Sequence, residues 1–161
     1  MLPTGLYLAG CSSVNPPAAP TTASLPPPEP AAATAPALRT EQRWLQSWFE
    51  GTPVRIVINS DGVLAIDVPR EFCFDAGRNQ VKPALAAVLD KVAESLRRNT
   101  STRLTLLAAP GDATTAAPLA MARATAVHKH LRNRGVPAAR LGEPGATAVA
   151  AVQLRIEAPP F

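Results

Sequence analysis

The chain has 161 residues, of which 18 are proline, 4% are aromatic and 17% are charged. Proline is concentrated in the first 40 residues, so about 120 residues remain for folding, the usual size of one domain with its own core. The formal net charge is +4 without a dense basic run, a pattern that argues against a nucleic-acid partner. No apolar run is long enough to span a membrane as a helix.

The N-terminal segment contains the run Leu8-Ala9-Gly10-Cys11, followed by Ser12. This run resembles the lipobox of bacterial lipoprotein signals, in which small residues admit the peptidase and the cysteine sulfur carries diacylglycerol. The resemblance implies that residues 1–11 are a signal, that Cys11 is lipidated and that Ser12 directs the protein to the outer membrane. The segment before Cys11 is short and lacks Lys and Arg, so a chance match is the alternative.

Residues 12–40 are dominated by proline and alanine, including Pro26-Pro27-Pro28. This composition favours an extended polyproline conformation and cannot build a core. We therefore expect a disordered tether, which at ~3.1 Å per residue reaches roughly 90 Å. A linker without any distance requirement is the alternative. The folded domain is then residues 41–161.

The first elements of this domain are a short helix and a β-hairpin. Thr40 could cap the helix, whose apolar face includes Trp44 and Trp48. Such a face usually packs against the rest of the domain. Apolar and polar residues then alternate over 54–59 and 63–68 on either side of a Ser-Asp-Gly turn, which predicts the hairpin.

Further strands and two long helices follow in alternation. The run Phe72-Cys73-Phe74 predicts a short strand in which the cysteine is a small buried hydrophobe. Helices are expected over 82–98 and 118–134, and strands over 103–108 and 152–157. The helical stripes that should be buried are Leu85, Val88, Leu89, Val92 and Leu96, and then Ala120, Ala124, Val127 and Leu131.

This order predicts an α+β fold: a mixed β-sheet with two main helices on one face, formed by a βαβαβ core that a β-hairpin precedes. Two strand–helix–strand units imply right-handed crossovers that place the helices on the same face.

From residue 53 to about residue 157, the chain resembles the OmpA-like, peptidoglycan-associated domain family. The most specific stretch is LAMARATAVHKHLRNRGVPAARL, in which Arg123-Ala124 and Gly135-Val136 match the family's Arg-Ala and Gly-Val pairs. The run VLAIDVPREFCFDAGRNQVKPALAAVLDKVAESL is similar to the family's strand, Phe-x-Phe-Asp turn and first helix.

The resemblance implies a site for the diaminopimelate side chain of the peptidoglycan stem peptide. The end of that side chain is a zwitterion, so Asp112 would bind its ammonium and Arg123 its carboxylate. Gly111 and Thr114 would add backbone and hydroxyl contacts. A site of this kind binds its ligand without chemistry.

The ligand motif departs from the family pattern more than the fold motifs do. Gly111 replaces a Thr, Ala116 replaces an Asn, Ala150-Ala151 replaces an Arg pair, and the loop before Arg123 is about four residues shorter. Asp112 could therefore be an ordinary turn or helix-cap residue.

Arg123 also has an alternative explanation. It lies early in a helix, where a cation is mildly unfavourable, so it needs an anionic partner. That partner could be a ligand or a loop acid such as Glu143.

Enzyme motifs are not evident. His128 and His130 are two residues apart on a helix and face different directions, so they cannot share a metal on one face. The sequence has no nucleophile–base motif, no phosphate-binding glycine loop and no metal-spaced cluster. We expect no enzyme activity and no cofactor.

Two functions are compatible with this sequence. In the first, an outer-membrane lipoprotein faces the periplasm and binds peptidoglycan, tethering the envelope layers. In the second, the domain has lost peptidoglycan binding and is a structural subunit of a multi-protein envelope or secretion complex. The contact surfaces would then be the Trp44/Trp48 segment and the Arg55–Arg70 hairpin.

Overall fold

The computed structural model describes residues 30–113 and 116–158. Within these ranges, helices and strands follow one another along the chain. The helices are α1 Pro30–Trp48, α2 Pro83–Arg98 and α3 Ala117–Asn133. The strands are β1 Arg55–Ile58, β2 Leu64–Pro69, β3 Arg103–Pro110, β4 Pro144–Thr147 and β5 Ala151–Glu157.

The strands form a mixed sheet in the order β1-β2-β5-β3-β4. β5 is antiparallel to both β2 and β3, so these two strands run in the same direction, and β4 is parallel to β3. The C-terminal ends of β2, β3 and β4 therefore meet at one end of the sheet, which we call the carboxyl end. The residues that follow Pro69, Pro110 and Thr147 come together there.

One continuous core joins the sheet to all three helices. The residues predicted for the buried stripes of α2 and α3 are all buried. On β5 the buried positions alternate, at Val152, Leu154 and Ile156. The α+β fold expected from the sequence is confirmed, and so is the β1–β2 hairpin, in which Ile56 lies opposite Ile66.

The first helix begins earlier than the sequence predicts. α1 starts at Pro30, so residues 30–40 of the expected tether are helical, and Leu38 is buried in the core. Thr40 is not an N-cap, because its hydroxyl donates to the carbonyl of Pro36 within the helix (3.0 Å). The physical reason is that alanine, which we interpreted as part of an extended tether, is the strongest helix former.

The strands differ from the prediction at two places. Arg70–Phe72 forms a 3-10 turn, and Cys73 follows it as a buried turn residue, because β2 ends at Pro69. The prediction that Cys73 is a small buried hydrophobe holds, and burial raises the pKa of its thiol to about 12. β4 has no counterpart among the predicted elements. This short strand contains Pro144 and Gly145 and lies at the sheet's edge, where proline is tolerated.

Candidate functional site

Two loops meet at the carboxyl end of the sheet and enclose the candidate site. One loop follows β3 and holds Gly111 and Asp112. The other connects β2 to α2 and includes residues 75–78. Arg123 reaches both loops from the first half of α3.

The side chain of Arg123 is completely buried, with 0% of its surface exposed. Its Nε donates to the carbonyl of Arg78 at 2.8 Å, its Nη1 to that of Pro110 at 2.9 Å, and its Nη2 to that of Asp75 at 3.0 Å. Nη2 also donates to Oδ1 of Asp112 at 2.6 Å. A guanidinium has five N–H groups in all. These bonds occupy four of the five N–H groups. Arg123 therefore has no free pair of neighbouring N–H groups, or fork, with which to bind a ligand carboxylate.

Asp112 is the exposed partner of this ion pair, with 39% of its side-chain surface accessible. The amide of Gly77 donates to its Oδ2 at 2.5 Å, and Arg123 donates to its Oδ1. These two bonds hold the pKa of Asp112 below its ordinary value, and the bond from the Gly77 amide has the larger effect. A carboxylate offers about four acceptor positions, so an ionised Asp112 can still accept hydrogen bonds from a ligand cation.

Asp112 and Arg123 therefore lie together, but not on two sides of an open pocket. No ligand group can enter between atoms that are 2.6 Å apart. Arg123 pairs with Asp112 rather than with Glu143. Among the described residues, the carboxylate oxygens of Asp112 accept from the Gly77 amide and from Arg123, so Asp112 joins the two loops and α3.

Gly111 is required by a close backbone approach. A Cβ at this position would lie 2.6 Å from the carbonyl oxygen of Ala116, a distance that real Cβ atoms do not adopt. Gly111 therefore allows the backbone directly after β3 to lie close to Ala116, at the start of α3. The two other predicted site residues, Thr114 and Cys11, lie outside the described residues.

Arg70 is a site residue that the sequence motifs do not indicate. It follows β2 directly and is half-buried. Its Nη1 donates to the carbonyls of Gly111 at 3.1 Å and of Asp112 at 2.9 Å. The signal for Arg70 is a basic residue directly after a strand. It points to the site only when β2 and β3, which lie on either side of β5, are known to finish at the same end of the sheet.

A cleft of about 180 Å³ opens at this place. It is lined by two charged residues, Arg70 and Asp112, and by small or uncharged ones: Pro110, Gly111, Ala113, Thr147, Ala148 and Ala150. Pockets that enclose a whole small molecule have volumes from ~300 Å³ upwards. The cleft therefore fits the charged end of a larger ligand better than a whole one.

The two histidines lie elsewhere on α3 and do not form a site together. Nε2 of His130 is 2.7 Å from Oδ1 of Asp90, which also forms a salt bridge with Arg134, whose Nε lies 2.8 Å away. His128 lines a separate surface depression. Within residues 30–113 and 116–158, the structure shows no cluster of three potential metal ligands and no helix that could cross a membrane.

A second surface feature, which we call the tryptophan surface, consists of Trp44, Trp48, Lys91 and Arg98. Trp48 is 55% exposed and meets Trp44 edge to face. Nζ of Lys91 lies 3.6 Å from the ring centroid of Trp48, and the guanidinium of Arg98 lies 3.8 Å from that of Trp44. Cations from α2 thus lie against the rings of α1, while Trp48 remains more than half exposed.

Comparison with solved structures relates this fold to known ones. A MotB-like protein from Desulfovibrio vulgaris matches with a TM-score of 0.66 and 16% identity, over 80% of this chain and 99% of that one. The periplasmic domain of Helicobacter pylori MotB matches with a TM-score of 0.54 and 14% identity, over 68% and 82%. The OmpA-like domain of FopA1 from Francisella tularensis matches with a TM-score of 0.48 and 12% identity, over 66% and 80%.

No protein-family model and no curated protein sequence matches the chain significantly. Identities as low as those of the solved structures show a shared fold and no more. The domain therefore has an α+β fold that is shared with solved structures, as the sequence resemblance implies. More particularly, it has the fold of MotB periplasmic domains.

Proposed function

We propose that this chain is an outer-membrane lipoprotein whose OmpA-like domain faces the periplasm and binds peptidoglycan non-covalently, tethering the envelope layers. The observation that carries the proposal is Asp112, an exposed carboxylate whose pKa is lowered and which lines a small cleft. Such a group attracts an ammonium, because a charge-assisted hydrogen bond is the strongest kind that it can form. In the stem peptide, the ammonium is that of the diaminopimelate side chain.

Each site residue then has a defined role in binding, and none in chemistry. Asp112 binds the ligand ammonium. Arg123 holds the Asp112 carboxylate in place from behind, and Gly111 shapes the loop that carries it. Thr114 adds a hydroxyl contact to the stem peptide.

The anchor of this lipoprotein is Cys11, with the residues that follow as the tether. The support is the lipobox-like run and the periplasmic location of the MotB domains that share the fold. When cells that express the chain are grown with radioactive palmitate, the chain should become labelled. Cys11→Ala should abolish this labelling. Equal labelling of both proteins would refute lipidation at Cys11.

Sedimentation with purified diaminopimelate-containing sacculi tests the proposed binding. The full chain carrying Cys11→Ser should sediment with them, and adding Asp112→Asn should weaken binding about tenfold, because a charge-assisted bond is lost. Glu143→Gln, which removes an exposed loop acid outside the cleft, is the matched control and should bind as the parent does. A parent that stays in the supernatant, or an Asp112 variant that binds as well as the parent, contradicts the proposal.

The second candidate function is a structural subunit that does not bind peptidoglycan. The observation that favours it is the burial of Arg123, which leaves no fork for a ligand carboxylate. The tryptophan surface would then be the contact with a protein partner. A photo-crosslinking amino acid at Trp48 should in that case capture a defined envelope protein in cells, while sacculus binding is absent.

A further inference from the structure

We propose that Arg70 binds the carboxylate of the ligand at this site, the role that the sequence resemblance assigns to Arg123. This inference rests on the proposed function and adds to it the cationic half of the site. A zwitterionic ligand needs a cation beside Asp112. Arg123 cannot contact the ligand, because its side chain is completely buried.

Arg123 cannot take this role without dismantling its surroundings. To turn its fork outwards, it would have to release the carbonyls of Asp75, Arg78 and Pro110. Each broken bond would leave a polar group unpaired, which is more costly than the mean value of a hydrogen bond suggests. Arg123 is therefore a positioning residue that acts through Asp112.

Arg70 meets the requirements that Arg123 does not. It lines the cleft together with Asp112, and it is the cation among the described lining residues. Its Nη1 is fixed by the carbonyls of Gly111 and Asp112, which holds the guanidinium at the cleft. Among the described residues, its Nε and Nη2 have no hydrogen-bond partner and no carboxylate lies within 4.0 Å of it. These atoms form the fork that a carboxylate binds best.

A cleft with Asp112 and Arg70 on its wall matches an amino-acid end, with an ammonium and a carboxylate on one carbon. It should discriminate against a simple amine, which would leave the Arg70 fork without a partner. Stem peptides present this difference naturally: diaminopimelate carries both groups at its side-chain end, and lysine carries the ammonium alone. The preference between them reports the contribution of the carboxylate.

The test compares binding to sacculi that contain diaminopimelate with binding to sacculi that contain lysine. The full chain with Cys11→Ser should prefer the first about tenfold, the factor expected for a charge-assisted contact. Arg70→Gln should remove the preference by lowering the affinity for diaminopimelate sacculi to the lysine level. Arg140→Gln is the matched control, because Arg140 also bonds backbone carbonyls, those of Asn99 and Thr102, but at the other end of β3. Its preference should equal that of the parent.

The outcomes separate the role of Arg70 from the proposed function. If Arg70→Gln weakens binding to both kinds of sacculi equally, the preference for diaminopimelate is kept. Arg70 then has a structural role, and the inference is overturned. A parent that binds both sacculi equally overturns it as well but leaves peptidoglycan binding intact. A parent that binds neither refutes the proposed function and the inference together. If Arg70→Gln does not fold, Arg70→Lys keeps the charge without the fork, and an unchanged preference then overturns the inference.

Discussion

At the scale of single residues, the ion pair between Asp112 and Arg123 organises the carboxyl end of the sheet. A buried guanidinium is costly unless its charge and its N–H groups are paired. Three backbone carbonyls satisfy the N–H groups of Arg123, and Asp112 supplies the opposite charge. Asp112 therefore stabilises the fold while it also faces the cleft.

This double role predicts an acid-dependent stability. Because the pKa of Asp112 is lowered in the folded chain, ionised Asp112 contributes stability above its ordinary value of 3.8, and this contribution is lost as the pH falls through the lower, folded-state pKa. Asp112→Asn should therefore lower the free energy of unfolding at pH 7. The difference from the parent should shrink below about pH 4. Urea unfolding of the full chain between pH 3 and pH 7 measures both effects.

Glu143→Gln is the control for this experiment, since Glu143 is an exposed loop acid and not the partner of Arg123. Its curve should follow that of the parent over the whole pH range. If the free energy of unfolding of Asp112→Asn also equals that of the parent at every pH, the ion pair does not stabilise the fold.

The sequence could predict Asp112 and Arg123 because both lie in recognisable motifs. It could not predict that Arg123 is saturated, because its other partners are backbone carbonyls, which every residue has. Arg70 was missed for a different reason. It is 42 positions from Asp112 along the chain, and only the parallel course of β2 and β3 brings them together.

At the scale of elements, the helices α2 and α3 were predictable because each has a regular apolar stripe and a clear boundary. Pro83 opens α2, and Gly135, with a φ of 87°, follows the end of α3. β4 was not predictable because Pro-Gly-Ala-Thr shows no alternation of apolar residues, and pairing with β3 alone makes it a strand.

The start of α1 is hard to predict because proline there favours an extended tether and alanine favours a helix, so tertiary contacts decide the outcome. Glu41 fastens the helix to α2: it accepts from the hydroxyl of Ser95 at 2.7 Å and from Nη2 of Arg98 at 2.8 Å. Burial acts to raise the pKa of Glu41, but the side chains of Ser95 and Asn99, together with the hydrogen bond and charge of Arg98, outweigh burial, and the net pKa is lowered. Once α1 is docked, the preceding alanines extend it, and Leu38 reaches the core.

The boundary of the tether is therefore testable at Leu38. Leu38 is a core residue. Leu38→Ala should therefore lower the free energy of unfolding by ~2–4 kcal/mol, because it removes a buried side chain and leaves a cavity. The exposed neighbour Arg39→Ala is the matched control and should change it by less than ~0.5 kcal/mol. Urea unfolding of the full chain gives both values. If both changes have equally small effects on the free energy of unfolding, residues 30–40 belong to the tether and not to the folded domain.

At the scale of the whole molecule, the extension of α1 shortens the reach of the proposed anchor. A tether of residues 12–29 would span roughly 55 Å when extended at ~3.1 Å per residue, compared with roughly 90 Å for residues 12–40. If the proposed lipid at Cys11 remains in the membrane, α1 must begin within this distance of the membrane while the cleft contacts the peptidoglycan.

The central claim is that the cleft between Arg70 and Asp112 binds the amino-acid end of a stem peptide. The most direct test is NMR of the isotope-labelled full chain, carrying Cys11→Ser, titrated with a soluble stem peptide that contains diaminopimelate. We expect saturable shifts of the Gly77 and Asp112 amides and of the Arg70 side-chain Nε–H, with the indole signals of Trp44 and Trp48 unchanged. Shifts confined to the indoles, or no saturable shift at the cleft, would contradict it.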